Sequence, residues 1–478
     1  MAALAERQRA AHLAEIERTL GDPVLQQTIR TRQDNRCALQ QQAIAELPDW
    51  PDWKEAVADL RGHTLAHLDR YMEQFADNLE RRGGQIFFAA DAAEACDYVV
   101  RLAHAKEASL IVKAKSMLSE EICLNPALAA AGVQAIETDL GEFIIQLAHE
   151  RPFHILGPAS HKTLEQICEL FRELTPEYLP PEPQALAAFA RRYLREKFLS
   201  AEIGITGCNF AVASEGAIVL VTNEGNGRLC STLPPTHVVL MGIERLVPDL
   251  SGLEPLLTVL PRSANGLRAT TYMQIISGPR RSDREDGPRE LHVVIVDNGR
   301  SRILGTTYRP ILHCIRCGAC LDNCPVYRNI GGHAYGAVYS GPIGAVLTPL
   351  LEGLDLYAHL PSASTLCGAC NDVCSARIPL TDLLLDLRRH VIAQRLSGRG
   401  WELGMRSFAE ITRHPNLWRA AVRLAHLALK PWVREGFIRR GLGPLRRWTA
   451  GRDFPAVPPR SFRALWRRDA YTSGREAN

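Results

Sequence analysis

Short apolar runs alternate with amphipathic stretches through the middle of the chain, from about residue 84 to residue 300. The runs are rich in β-branched residues and predict buried strands, whereas stretches such as 91–105 and 164–174 have helical spacing. This alternation predicts an α/β domain whose mostly parallel sheet is covered on both faces. After residue 209, Gly-rich turns between successive runs also allow antiparallel pairing. The predicted strands are QIFFAA (85–90), SLIVKAK (109–115), VQAIET (133–138), FHILG (153–157), AIVLVT (217–222), HVVLMGI (237–243), YMQIIS (272–277) and HVVIVD (292–297).

Helical patterns flank this block on both sides. Residues 1 to about 80 are rich in Ala, Leu, Gln, Glu and Arg, and Pro48 and Pro51 predict a break between two helical blocks. Residues 301–380 are dense in Cys, Gly and Pro, a composition that needs something besides an apolar core to hold it. We therefore predict four regions: a helical one at 1–80, the α/β domain at 81–300, a small cysteine-rich domain at 301–385 and a helical tail at 386–478.

Composition excludes several classes of protein. The chain has 478 residues, of which 46% are hydrophobic and 23% charged, so it can form several packed cores and is not disordered. The amino terminus carries charges throughout and lacks the apolar core of a secretory signal. Apolar stretches such as AIVLV are far shorter than a membrane span requires. We expect a cytoplasmic protein without a transmembrane segment.

The distribution of charge is uneven. Residues 381–478 hold 20 Lys or Arg against 8 Asp or Glu, whereas the first 380 residues hold 36 against 45. The tail also contains five of the seven tryptophans. We expect amphipathic helices with solvated arginines and inward-packed tryptophans; an acidic protein partner or peripheral contact with an anionic membrane are the alternatives. No nucleic-acid-binding motif accompanies the charge, so we expect no nucleic acid partner.

The strongest chemical signal is the first of two cysteine motifs. Cys314, Cys317, Cys320 and Cys324 are followed by Pro325, which gives the spacing C-x2-C-x2-C-x3-C-P. This is the bacterial ferredoxin run, in which three thiolates of one loop bind one cubane cluster and the fourth binds the other cluster. Structural zinc is the main alternative, because C-x2-C pairs also bind zinc.

The second motif resembles the first but lacks one cysteine. Cys367, Cys370 and Cys374 keep the spacing, Ser364 stands where the first cysteine would be, and Ser375 replaces the proline. Seven cysteines in this order fit two cross-ligated clusters better than zinc sites.

Crossed ligation divides the seven cysteines into two sets. The first cluster takes Cys314, Cys317, Cys320 and Cys374, and the second takes Cys324, Cys367 and Cys370. We expect two 4Fe–4S clusters. The second has three cysteine ligands, so it is either a 3Fe–4S cluster or a cubane whose fourth iron is held by Ser364, by another residue such as His359, or by water.

Polar residues at the ends of the predicted strands mark where a ligand of the α/β domain would bind. Intact GxGxxG, Walker A and nucleophile-elbow motifs are absent from the sequence, and EGNGR (224–228) predicts an ordinary turn. Catalytic residues therefore cannot be assigned. Candidate anion-binding or strand-end residues are Lys113, Lys115, Glu137, Asp139, Glu215, Gly216, Arg228, Ser231 and His237.

The other cysteines lack ligand spacing. Cys96, Cys123 and Cys168 lie in helical patterns and are expected to be small buried side chains. Cys208 and Cys230 flank possible site loops.

Taken together, these segments resemble the lactate utilisation protein B family over essentially the whole chain. The resemblance rests on IVKAKSMLSEEI, IETDLGEFIIQLA and NFAVASEGAIVLVTNEGNGR, on both cysteine motifs, and on the ending GLGPLRRWTAGRDFPAVPPRSFRALW. It implies a LUD-type α/β domain, similar to sugar-isomerase and CoA-transferase folds, joined to a ferredoxin-like two-cluster domain. The family's ligands correspond to the seven cysteines named above. The family also has seven cysteines here, but usually a proline at the position of Ser375.

The resemblance implies an iron–sulfur electron-transfer subunit of a cytoplasmic complex that oxidises L-lactate to pyruvate. Such a chain would be a non-autonomous subunit of a lactate dehydrogenase complex, with a second cysteine-rich iron–sulfur protein and a small LUD-domain protein as partners. The alternatives are another 2-hydroxy acid such as glycolate, a self-sufficient catalytic site for an unidentified anion in the α/β domain, or a redox-sensing binding module.

Overall fold

The computed structural model describes residues 2–282, 284–441, 443–449, 451–460 and 462–466. The chain divides into two compact units, residues 1–393 and 394–478. Residues 467–478 of the predicted tail lie outside the described residues.

The first 81 residues form four helices rather than two helical blocks. The break around Pro48 is confirmed, while Pro51 lies in the first turn of its helix, where a proline costs no hydrogen bond. A further break comes at Asp22, whose carboxylate caps the next helix by accepting from Leu25 N at 2.9 Å. The helices are α1 (Ala2–Gly21), α2 (Pro23–Ala45), α3 (Trp50–Ala66) and α4 (Leu68–Arg81).

The main sheet of the α/β domain contains six parallel strands among the described residues. Their order is β1-β10-β7-β4-β2-β3, so all carboxyl ends meet at one edge. This confirms the predicted parallel sheet. The strands of the main sheet are β1 (Gln85–Ala89), β2 (Leu110–Lys113), β3 (Gln134–Glu137), β4 (Ile203–Thr206), β7 (Thr236–Gly242) and β10 (Glu290–Val296).

Helices cover both faces of this sheet, because successive side chains of a strand point to opposite sides. On β7, Val238 and Leu240 belong to one apolar core, while Val239 and Met241 belong to another, which contains Phe75 of α4. The helices of the domain are α5 (Ala92–Ala105), α6 (Met117–Glu121), α7 (Leu124–Ala130), α8 (Leu140–Leu147), α9 (Leu164–Phe171), α10 (Pro183–Ser200), α11 (Asn226–Thr232), α12 (Leu253–Asn265) and α13 (Arg300–Leu304).

A second, smaller sheet explains the antiparallel signal after residue 209. Its order is β8-β5-β6-β9; β6 is antiparallel to both β5 and β9, while β5 and β8 are parallel. Strands β4, β5 and β8 were not predicted from the sequence. The strands of the smaller sheet are β5 (Phe210–Val212), β6 (Ala217–Thr222), β8 (Leu246–Val247) and β9 (Tyr272–Ile276).

The predicted strand at FHILG is wrong. Residues 153–157 form a buried turn between two prolines, in which Phe153 N donates to Pro158 O at 2.9 Å. Phe153 and Ile155 pack into the core of the cysteine-rich region. Burial by a neighbouring region, rather than by a sheet, accounts for the apolar run.

The cysteine-rich region contains short helices and packs against α1 and α2. His12 Nδ1 lies 2.6 Å from Ala334 O, Gln26 Nε2 donates to Asn329 O at 2.7 Å, and Gln40 Nε2 donates to Asp322 Oδ2 at 3.1 Å. The helices of this region are α14 (Ala319–Asp322), α15 (Tyr327–Ile330), α16 (Gly341–Glu352), α17 (Ala369–Asp372) and α18 (Leu380–Ala393).

The second compact unit exposes apolar side chains. The expectation that its tryptophans pack inward is wrong, since Trp401, Trp418, Trp432, Trp448 and Trp466 are between 44% and 64% exposed. None of the described residues of α20 is buried. Its elements are α19 (Arg399–Arg413), α20 (Pro415–Leu429), β11 (Phe437–Ile438), α21 (Pro444–Trp448) and β12 (Phe454–Pro455). No helix in the described part of the chain is long and apolar enough to cross a membrane.

Candidate iron–sulfur centre and adjoining cavity

The two CGAC segments fold into the same local structure. Gly318 and Gly368 adopt left-handed conformations, with φ of 75° and 88°, and each begins a four-residue helix that carries the next cysteine, Cys320 or Cys370. A side chain is strained at such a φ, which explains glycine at both positions. The sequence repeat is therefore also a structural repeat.

Cysteines of both motifs influence one another around the first predicted set. Burial, reinforced by the Cys374 and Cys314 thiols, raises the pKa of Cys317 to about 12. Burial and the thiols of Cys317, Cys314 and Cys374 raise the pKa of Cys320 well above its usual range. Cys374 thus lies beside the cysteines of the first motif, as crossed ligation requires.

The three cysteines that we predict to bind the second cluster also influence one another. Burial and the thiols of Cys324 and Cys367 raise the pKa of Cys370 to about 12. Burial is also the main cause that raises the pKa of Cys324, with Cys367 adding to it. The two sets adjoin, because Cys370 also contributes to the raised pKa of Cys320.

Buried thiols with raised pKa values fit a metal centre, because bound metal stabilises the thiolates that burial disfavours. Backbone amides already point at three of the sulfurs: Arg316 N, Tyr327 N and Ile378 N donate to the Sγ atoms of Cys314, Cys324 and Cys374 at 3.4, 3.5 and 3.3 Å. Such donors stabilise cluster thiolates. The residues present therefore fit two iron–sulfur clusters.

The two serines of the second motif have distinct surroundings. Ser364 Oγ accepts from Leu366 N at 3.1 Å, so its hydroxyl supports the loop that leads to Cys367. Ser375 is buried and its Oγ lies 3.8 Å from Cys317 Sγ. The local turn therefore forms without the usual proline.

The other candidate for a fourth ligand, His359, packs elsewhere. Its ring lies 4.7 Å from that of His12 and 6.1 Å from that of Tyr357. These contacts with α1 and its own loop do not support a ligand role.

A cavity of about 430 Å³ lies at the carboxyl edge of the main sheet and reaches the first cysteine loop. Ile315 and Arg316, between Cys314 and Cys317, form part of its wall. This is the place where open α/β sheets bind ligands. Polar and charged residues around it are Lys115, Ser116, Asp139, Thr206, Cys208, Asn209, Thr222, Asn223, Glu224, Asn226, Glu244, Arg245, Asn265, Thr270, Arg300, Arg316 and Tyr339.

An ion-pair network connects the cavity to the cysteine loop. Glu244 Oε2 lies 2.9 Å from Arg300 Nε, and Glu244 Oε1 lies 3.7 and 3.4 Å from Arg245 Nε and Arg316 Nη2. Burial alone would raise the pKa of Glu244, but Arg300, Arg245 and Arg316 hold it well below its usual range. Glu244 is therefore a carboxylate. A Cβ at Gly242 would overlap this carboxylate, which explains the glycine at the end of β7.

Arg61 of α3 supports the backbone around Glu244 and the first cysteine loop. Its guanidinium donates to Leu246 O at 3.0 Å, to Leu312 O at 2.9 Å and to Glu244 O. These carbonyls belong to the α/β domain and to the segment just before Cys314, so one side chain connects three regions of the chain.

The structure places two of the nine polar candidates at this cavity, Lys115 and Asp139. Lys113 instead pairs with Glu137 at 2.6 Å, and both are buried. His237 is buried with its Nε2 2.9 Å from Thr206 Oγ1. The others lie away from the cavity: Glu215 pairs with Arg82, Gly216 packs against α4, Arg228 is exposed and Ser231 is buried in α11.

The EGNGR segment contributes to the wall through Glu224, Asn226 and Gly227. It begins with the expected turn, but its last three residues start α11, which was not predicted. Burial and the neighbouring Asp139 carboxylate raise the pKa of Glu224. Two acidic groups, Asp139 and Glu224, therefore lie near each other in the wall, whereas Glu244 lies among the arginines.

Three arginines of the cavity wall, Arg245, Arg300 and Arg316, were not among the site residues predicted from the sequence. Arg245 and Arg300 follow strands β7 and β10 within four residues, so the rule that ligands bind beyond strand carboxyl ends would have found them. Arg316 carried no such signal, because it was hidden within the cysteine motif.

The cysteines outside the motifs follow their expectations with one exception. Cys96 and Cys168 are buried in helices, and Cys230 is buried beside Thr138. The prediction for Cys123 is wrong: it is exposed, with φ of 54°, at the junction of α6 and α7, where the chain turns between two short helices. Cys208 lines the cavity, where burial raises its pKa to about 12.

Comparison with known families finds three matching family models, which cover successive segments of the chain from residue 72 onward. Residues 72–296 match the LUD domain, residues 310–378 the 4Fe-4S dicluster domain, and residues 397–471 the C-terminal domain of lactate utilisation protein B.

Relatives match over nearly the whole length. Lactate utilization protein B of Shouchella clausii is 46% identical over 94% of this chain and 94% of its own. The protein of that name from Geobacillus thermodenitrificans is 47% identical over 95% of each chain. A solved structure, a DUF162 family protein from Deinococcus radiodurans, covers 48% of this chain and 98% of its own at 14% identity with a TM-score of 0.27, which carries no conclusion about fold. The chain belongs to the lactate utilization protein B family, with a LUD domain and a dicluster domain for two iron–sulfur clusters.

Proposed function

We propose that this chain is the iron–sulfur electron-transfer subunit of a cytoplasmic complex that oxidises L-lactate to pyruvate. The observation that carries the proposal is that the two cysteine motifs lie against each other. The hydroxyl of Ser375, the residue after Cys374, is 3.8 Å from Cys317 Sγ, and burial together with the Cys374 and Cys314 thiols raises the pKa of Cys317. The names of the relatives, lactate utilization protein B, support lactate as the substrate.

The proposed ligands of the first cluster are Cys314, Cys317, Cys320 and Cys374; those of the second are Cys324, Cys367 and Cys370. When bound, two 4Fe–4S clusters together accept the two electrons that oxidation of L-lactate to pyruvate releases with two protons. The protein orients the sulfurs through the two left-handed glycines and the backbone amides.

The proposed direction of electron flow follows from burial. The first set lies beside the cavity and Cys314 is half-buried, whereas Cys367 of the second set is exposed. Electrons would enter near the cavity and leave near Cys367 towards a partner. The partners that we propose are a second cysteine-rich iron–sulfur protein and a small LUD-domain protein of the same system.

The test is anaerobic reduction of the purified protein, with and without its co-purifying partners. L-lactate should reduce the clusters, observed by electron paramagnetic resonance, and D-lactate should not. If glycolate reduces them and L-lactate does not, the substrate is another 2-hydroxy acid. If dithionite reduces clusters that none of these acids can reduce, lactate oxidation is excluded and a redox-sensing role is favoured.

A further inference from the structure

The cavity at the carboxyl edge of the main sheet has a surplus of positive charge at the end next to Cys314. Arg245, Arg300 and Arg316 meet there, and the carboxylates that pair with them are Glu244 and Glu121. Arg300 is engaged on both sides, at 2.7 Å from Glu121 and 2.9 Å from Glu244. Arg245 and Arg316 lie farther from the other carboxylate oxygen of Glu244, Oε1, at 3.7 and 3.4 Å.

Arg316 has hydrogen-bonding capacity that the described residues do not use. Its guanidinium lies 4.1 Å from the centre of the Tyr339 ring, which fixes the plane of the group. Its Nε and Nη1 atoms are buried without a hydrogen-bond partner among the described residues. Buried donors of a charged group are costly to leave unpaired, so a hydrogen-bond acceptor is expected here, either a ligand in the cavity or the cluster that Cys314 and Cys317 would bind.

We infer that this end of the cavity binds the carboxylate of a small organic acid through Arg245 and Arg316, directly beside the first cysteine set. Guanidinium groups match a carboxylate in both charge and geometry. The rest of the wall, including Thr206, Asn209 and Asn265, offers hydrogen bonds to hydroxyl or keto groups. A volume of about 430 Å³ accommodates such an acid with water around it.

The identity of the acid rests on the proposed function, which makes it a 2-hydroxy acid or its 2-oxo product. The inference that the cavity binds a carboxylate does not rest on the proposed function, because it follows from the charges and the shape of the cavity. The competing explanation is that the arginines only compensate the negative charge of a thiolate-bound cluster, which the position of Cys314 beside Arg245 and Arg316 also allows.

The probe is pyruvate, which binds without reducing the clusters. Anaerobic titration calorimetry on the cluster-loaded full chain should show binding, and pyruvate should change the paramagnetic resonance spectrum of the reduced first cluster. Arg245→Gln should weaken pyruvate binding roughly 10- to 100-fold, because it removes a charged hydrogen bond. Arg245→Lys, which keeps the charge but not the planar fork, should give an intermediate loss.

Arg377→Gln is the matched control. This arginine is exposed, pairs with Glu55 at 2.9 Å and lies three residues after Cys374, but it is not part of the cavity wall. Its loss should leave pyruvate binding unchanged. Iron content is measured for every variant, so that loss of a cluster is not mistaken for loss of binding.

Two outcomes would overturn the inference. In the first, pyruvate at tens of millimolar produces neither heat nor a spectral change with both clusters present. Alternatively, Arg245→Gln could lower the reduction potential of the first cluster and leave pyruvate affinity unchanged, which would assign the arginines to charge compensation alone.

The inference and the proposed function fail separately. If L-lactate reduces the clusters in the complex but pyruvate does not bind this chain, the cavity inference is wrong and the function stands. If pyruvate binds and Arg245→Gln weakens it, but L-lactate never reduces the clusters, the binding site stands and the proposed function is wrong.

Discussion

The two cysteine motifs share the letters CGAC and a following Asp, yet their surroundings are opposite. Residues 314–324 contain no exposed residue, and Asp322 is buried next to Gln40, His154 and Arg36. In the second motif, Cys367 and Asp372 are exposed. The same local fold thus serves an enclosed centre beside a cavity and a centre open to solvent. What distinguishes them is the packing of other regions, chiefly α2 and the buried turn at 153–157.

The largest effect should come from removing the one cysteine that each motif contributes to the cluster of the other motif. Cys374→Ser should destroy the first cluster although Cys374 belongs to the second motif, because its sulfur lies with Cys314 and Cys317. Cys324→Ser is the mirror-image control and should damage the second cluster. Iron and sulfide content with paramagnetic resonance measures both. If Cys374→Ser lost the second cluster alone, crossed ligation would be wrong.

The exposed centre should be the first to lose iron. Cys367 is exposed and this set has three cysteines, so ferricyanide or oxygen should attack it several-fold faster than the enclosed one. A 3Fe–4S signal should appear while the signal of the first cluster persists. Equal rates of loss, followed by Mössbauer spectroscopy, would contradict the comparison.

The paired aspartates should differ in their contribution to stability. Asp322→Ala leaves Arg36 and His154 without their buried partner and should cost about 3 kcal/mol. Asp372→Ala, at the equivalent exposed position, should change stability by less than about 0.5 kcal/mol. Midpoints of anaerobic thermal unfolding, followed by circular dichroism, provide the measurement. Similar losses for both would mean that burial is not what separates the motifs.

Ser375 should tune the first cluster by a smaller amount. When Cys317 is a metal-bound thiolate it can only accept, so the Ser375 hydroxyl at 3.8 Å would donate to it and favour the reduced state. Ser375→Ala should lower the reduction potential of that cluster by about 20–60 mV, the equivalent of about 0.5–1.5 kcal/mol. Redox titration measures the shift, and an unchanged potential would show that the contact is not a hydrogen bond.

Ser364→Ala should have the smallest effect. Its hydroxyl accepts from Leu366 N, so we expect the iron content to stay the same. Loss of one iron from the second cluster would instead identify Ser364 as the fourth ligand.

Much of this architecture was readable from local sequence. The parallel sheet follows from alternating runs such as HVVIVD, and the domain for two iron–sulfur clusters follows from the cysteine spacing. The errors arose where a distant region determines the outcome: FHILG is apolar because it packs against the cysteine-rich region, and Cys123 is at a helix junction that periodicity does not reveal. The cavity was only partly anticipated, because Arg316 reaches it through the ion-pair network with Glu244 rather than through a strand end.

The contacts of α2 also determine when its packing can be completed while the chain is being synthesised. Gln26, Gln33 and Gln40 of α2 donate to residues 329, 321 and 322, so these three hydrogen bonds form only after nearly 300 further residues have been made. At roughly 5–20 residues per second, that delay is about 15–60 s on the ribosome. During it, Leu25 and Ile29 lack the part of their core that Tyr327, Ile330 and Tyr335 supply. The packing of α2 is therefore completed late, and chaperones that hold nascent chains have a long opportunity there.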